Sequence, residues 1–84
     1  MIFNSQLIIE ALEKHTGLSF KQTGQHEPHF VSSRFLVSES GFFMFDVSRH
    51  QIDNDTGIYN EIPIGEDLTL ADVIDALNKE MGKL

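Results

Sequence analysis

The chain contains no cysteine and no tryptophan. Without cysteine there is no disulfide framework, no thiolate nucleophile and no thiolate metal site. Positive charge is scarce: six lysines and arginines stand against thirteen aspartates and glutamates, for a net charge of −7. That balance argues against direct binding to nucleic acid or to an anionic membrane, because both surfaces are themselves negative. Long apolar runs are also missing. The stretch Leu7-Ile8-Ile9 is broken by Glu10, far short of the ~20 apolar residues that cross a bilayer. The start, Met1-Ile2-Phe3-Asn4-Ser5, lacks the positive region of a secretory leader. The sequence therefore reads as a complete cytoplasmic open reading frame with no membrane segment. Its two prolines and six glycines fall between or at the ends of periodic segments, which leaves no linker, repeat or low-complexity tract.

What is present is one domain over residues 1–84, with 40% hydrophobic residues. A chain this short buries only about 60–65% of the surface its unfolded form exposes. Ser5 to His15 reads as a helix capped by Asn4 or Ser5, with Leu7, Ile8, Ala11, Leu12 and His15 at helical spacing and Gly17 as its stop. Leu18 to Thr23 reads as a strand with Leu18, Phe20 and Gln22 on one face, followed by a loop over 24–28. His29 to Ser38 and Phe42 to Arg49 read as one hairpin. A three-residue loop with Gly41 in the left-handed conformation places Arg34 opposite Asp46, Phe35 opposite Phe45, Val37 opposite Phe43 and Ser32 opposite Ser48, satisfying charge and aromatic pairs together. Gly57 to Ile64 reads as a further strand, with Pro63 directing it to an edge or a strand end. Thr69 to Met81 reads as a second helix. Thr69 caps it, Asp72 stands three residues on, Leu68 and Val73 can form the staple, and Leu70, Val73, Ile74, Leu77 and Met81 form its buried stripe.

Helix, three or four antiparallel strands, then helix predicts an α+β two-layer sandwich with both helices on one face of the sheet. The expected register sends Val31, Ser33, Phe35, Val37, Phe43, Phe45 and Val47 to that face. It leaves Phe30, Leu36, Phe42 and Met44 on the open face. A contiguous apolar group on an open face marks an interface, and a symmetric homodimer is the commonest way to bury one. A covering segment of the same chain or a different protein partner would serve the same physical need.

Residues with chemical potential do not assemble into a known catalytic pattern. His26-Glu27-Pro28-His29 is the one close histidine pair, with His50 or His15 as a conceivable third metal ligand. The paired spacing of zinc sites is missing, and the proline forces an extended path. Asp53-Asn54-Asp55-Thr56-Gly57 resembles the first half of a calcium loop. Its twelfth position is Ile64 where a glutamate is needed, so a turn between strands is the better reading. No nucleophile elbow and no glycine-rich phosphate cradle is present. The expectation is a protein with no catalytic residues, no cofactor and no metal.

Acidity is uneven. Residues 1–52 carry a net charge of −1 and residues 53–84 a net charge of −6. Asp53, Asp55, Glu61, Glu66, Asp67, Asp72 and Asp75 form the candidate acidic surface. It would attract a basic partner, or occupy the nucleic-acid cleft of one as an acidic inhibitor. The sequence thus predicts a small acidic protein-binding module, with the homodimer foremost, the acidic inhibitor second and a metal- or small-ligand-binding module using His26 and His29 third.

Overall fold

The computed structural model describes residues 5–24, 29–52, 55–57 and 59–82. Helix α1 spans Ser5–Thr16 and buries Ile8, Leu12 and Thr16, a row with four-residue spacing. Leu7, expected in that row, is displaced from it by one position and is 62% exposed. Gly17 ends the helix at φ 77°, where a residue without Cβ meets no steric penalty. The Thr16 hydroxyl donates to the Leu12 carbonyl and accepts from the Leu18 amide at 3.2 Å. Glu13 Oε2 accepts from the Phe20 amide at 3.0 Å, so the chain leaves α1 along a fixed path.

Five strands follow: β1 (Lys21–Thr23), β2 (His29–Val31), β3 (Phe35–Gly41), β4 (Met44–Ile52) and β5 (Tyr59–Leu68). They form one antiparallel sheet in sequential order β1-β2-β3-β4-β5. The sheet has one strand more than expected because the segment from His29 to Ser38 is not continuous. Ser32 turns the chain. Its amide donates to the Phe35 carbonyl at 2.9 Å, and its hydroxyl oxygen accepts from the Phe35 amide at 3.0 Å. A serine hydroxyl can close a turn in place of a ladder bond.

This turn changes the register. Removing Ser32 and Arg34 from the ladder forbids the expected Arg34–Asp46 pair. The observed partners are Phe35 with Arg49, Val37 with Val47 and Glu39 with Phe45. The ladder is displaced by four residues from the expected one. An even displacement leaves every strand residue on its expected face, so Phe35, Val37, Phe45 and Val47 still point inward. Phe30 does not follow this rule, because β2 folds back on β3 and pairs Phe30 with Val37. Phe30 is therefore a core residue with no exposed surface, and Val31 takes the outward position.

β5 is one of the two edge strands, which suits Pro63, and extends to Leu68 through two register shifts against β4. A single residue, Thr69, separates it from α2 (Leu70–Glu80). The Thr69 hydroxyl accepts from the Asp72 amide at 3.2 Å, and Gly82, at φ 76°, follows the helix. Val73 and Leu77 are buried, with Leu70, Ile74 and Met81 packed beside them, so the expected stripe of α2 is complete. The buried side chains of both helices join Phe20, Phe30, Phe35, Val37, Phe45 and Val47 in one cluster. No helix among the described residues is long and apolar enough to cross a membrane.

Candidate interaction surface

The β3–β4 hairpin turns at Phe42-Phe43, two residues later than expected, with an irregularity between Glu39 and Gly41. Gly41 is not left-handed. Phe43 is, at φ 59°. The side chain of an L-residue crowds its own backbone there, at a cost of roughly 1–2 kcal/mol. Both phenyl rings are exposed, Phe42 by 71% and Phe43 by 52%, and they meet edge-to-face with centroids 4.2 Å apart. Only one other described residue apart from glycine has positive φ, Asp67 at 51°. It lies at the same end of the molecule. Ser40 Oγ donates to Asp67 Oδ1 at 2.8 Å, and the Asp67 amide donates to Asp46 Oδ1 at 3.0 Å. Two carboxylates are thereby held beside the aromatic turn, with Glu66 adjacent in sequence and exposed.

The outer face of the sheet adjoins this end and shares Asp46 and Glu66 with it. Leu36 and Met44 are half-buried, and Phe30 is absent from it. Leu36, Ser38, Asp46, Ser48, Glu61 and Pro63 line a shallow depression of about 210 Å³ there. This face is more polar than the sequence suggests, since Ser38 and Asp46 stand directly opposite one another and Leu36 faces Ser48. Of the four expected interface residues, Leu36 and Met44 lie on strands of this sheet, Phe42 projects from the hairpin turn, and Phe30 is in the core.

The described acidic residues of the candidate surface are carried by different elements. Asp55 precedes β5, Glu61 pairs with His50 on it, Glu66 and Asp67 close it, and Asp72 and Asp75 lie exposed on the first turns of α2. Asp53 lies outside the described residues, as does His26. His15 sits in the last turn of α1, His29 opens β2 and His50 lies on β4. Among the described residues no three histidine, aspartate or glutamate side chains gather as a metal site.

Phe43, like Val31, is a residue that the sequence placed inward and the structure does not. The signal was the run Phe42-Phe43-Met44, three large apolar residues in succession, which a two-faced strand cannot bury on one side. With the fold and this surface described, comparison adds no relative: no protein-family model, no curated protein and no solved structure matches the chain.

Proposed function

We propose that this chain is a small non-catalytic protein-binding module whose contact surface is the Phe42-Phe43 hairpin end. The observation that carries the reading is the pair of exposed rings on a turn that keeps Phe43 left-handed. Aromatic residues dominate interface energetics because they bury large area with little loss of side-chain freedom. Asp46, Glu66 and Asp67 beside the rings select the partner's chemistry: an apolar socket edged by lysine or arginine.

The test uses the wild-type chain and a Phe42→Ser/Phe43→Gly variant as baits at low and high salt. A stoichiometric partner retained by the wild type, lost by the variant and weakened by salt supports the reading. The same partner held equally by both baits moves the contact surface elsewhere.

The open outer face favours a second reading, the symmetric homodimer, because Leu36 and Met44 there have no helix packed over them among the described residues. Self-contact would bring Asp46 and Glu61 toward their own copies, which opposes it. Light scattering decides: a dimer mass that Met44→Lys reduces to a monomer would replace the first reading with the second.

A further inference from the structure

The chain has two arginines, Arg34 and Arg49. Both line one depression of about 290 Å³, together with Ser33, Phe35, His50 and Gln51. This depression lies at the β2–β3 turn, the far end of β3 from the phenylalanine pair. β3 has seven residues, so the two surfaces stand about 23 Å apart at ~3.3 Å per residue.

Two features of the fold bring the arginines together. Phe35 and Arg49 are directly opposed across the β3–β4 ladder and so share one face of the sheet, while Arg34 immediately precedes Phe35 in the turn that opens β3. The His50 amide donates to the Arg34 carbonyl at 2.8 Å, which pins the turn to β4. The Arg34 guanidinium lies 5.3 Å from the Phe35 ring centroid, an attraction that draws it toward the residue directly opposite Arg49. Among the described residues neither guanidinium forms an ion pair. In a protein with thirteen carboxylates, both arginines line one concave surface whose lining contains no aspartate or glutamate among the described residues.

We propose that this depression binds a phosphate group. Each guanidinium presents parallel N–H donors that match two oxygens of an oxyanion. Two such forks, with the Ser33 hydroxyl and the Gln51 amide beside them, offer more donors than one planar carboxylate accepts. A phosphate can accept from both arginines. The depression exceeds the size of a bare phosphate and sits at the small end of ligand pockets, about 300–1,000 Å³. The group it takes is therefore a phosphate ester carrying a small organic portion.

The test is an amide-shift titration of the full chain with three probes: inorganic phosphate, a sugar phosphate and a phosphoserine peptide. Acetate serves as the carboxylate control. Saturable shifts confined to residues 33–35 and 49–51, stronger for phosphates than for acetate, are expected. Arg34→Lys/Arg49→Lys keeps the charge but removes the forks, and should weaken binding about tenfold. Tighter binding of the sugar phosphate than of the peptide assigns the site to a metabolite, and the reverse order assigns it to a phosphorylated protein. Absence of saturation with all three phosphate probes overturns the proposal, as does binding that the double lysine variant leaves unchanged. An unchanged amide spectrum of the variants away from the turn shows that they remain folded. Failure here leaves the hairpin-end reading intact, because the two surfaces share no residue.

Discussion

Asn78 on α2 donates a hydrogen bond of 3.1 Å to the backbone carbonyl of His15, 63 positions earlier in the chain. The His15 carbonyl belongs to the last turn of α1, where carbonyls lack helical partners. One side chain thus satisfies the end of one helix from the flank of the other. Replacing it by alanine should lower the unfolding free energy by about 1 kcal/mol. Chemical denaturation of Asn78→Ala measures this, and an unchanged midpoint would show that water replaces the bond without loss.

Two phenylalanines of the same expected class should behave oppositely. Phe30→Ala removes a fully buried ring and should cost about 3–5 kcal/mol, a large share of the stability of a domain this small. Phe42→Ala, at a mostly exposed position, should change stability by no more than about 0.5 kcal/mol. Thermal melts of the pair separate core from contact surface directly. Similar losses in both would contradict the inward placement of Phe30.

At Phe43 the backbone itself makes a prediction. Glycine relieves the left-handed strain of roughly 1–2 kcal/mol, offset by an entropy loss of about 0.5–1 kcal/mol. Phe43→Gly should therefore be neutral to slightly stabilising while losing the partner described above. A stability gain accompanied by lost binding is the signature of strain retained for contact. Clear destabilisation in urea would mean that the ring contributes to the fold.

Gly65 offers a steric test. A Cβ built there would stand 2.7 Å from Leu68 Cδ1. Gly65→Ala should displace the end of the Leu68 side chain at a cost of about 1 kcal/mol, and Gly65→Ala/Leu68→Ala should not sum the two single losses. A double-mutant cycle in denaturant reads the coupling, and strict additivity would deny the contact.

The helices were legible because their signals are local. The Thr69 cap, Gly17, and the stripe from Leu70 to Met81 need no knowledge of distant residues. The inward strand positions were legible for a different reason: period-two alternation survives any even slip, so Val37 and Val47 point inward under both the expected and the observed register. The same fact hid the register itself. Nothing in the alternation distinguishes Phe35 opposite Phe45 from Phe35 opposite Arg49. The deciding element was the Ser32 turn, built by a hydroxyl without glycine, proline or asparagine to announce it. With that one turn go the fifth strand, the inward Phe30 and the shifted hairpin that turns Phe43 outward beside Phe42. It also brings Arg34 to Arg49, a meeting of residues fifteen positions apart that no linear spacing displays.

The sequential order of the sheet has a consequence for how the protein is made. Three residues join β2 to β3, two join β3 to β4, and six join β4 to β5. Each ladder can close as soon as its second strand leaves the ribosome, since every partner is the segment just synthesised. α1 is translated first, yet its bond from Asn78 comes from the last helix made. Ile8 and Leu12 of α1 can meet the inward strand residues as these form, but the core cluster is complete only when Val73 and Leu77 of α2 join it. A chain shortened before Leu70 would keep all five strands and still lack two of the buried side chains that close the core, so its inward phenylalanines would be left partly open to water and to other chains.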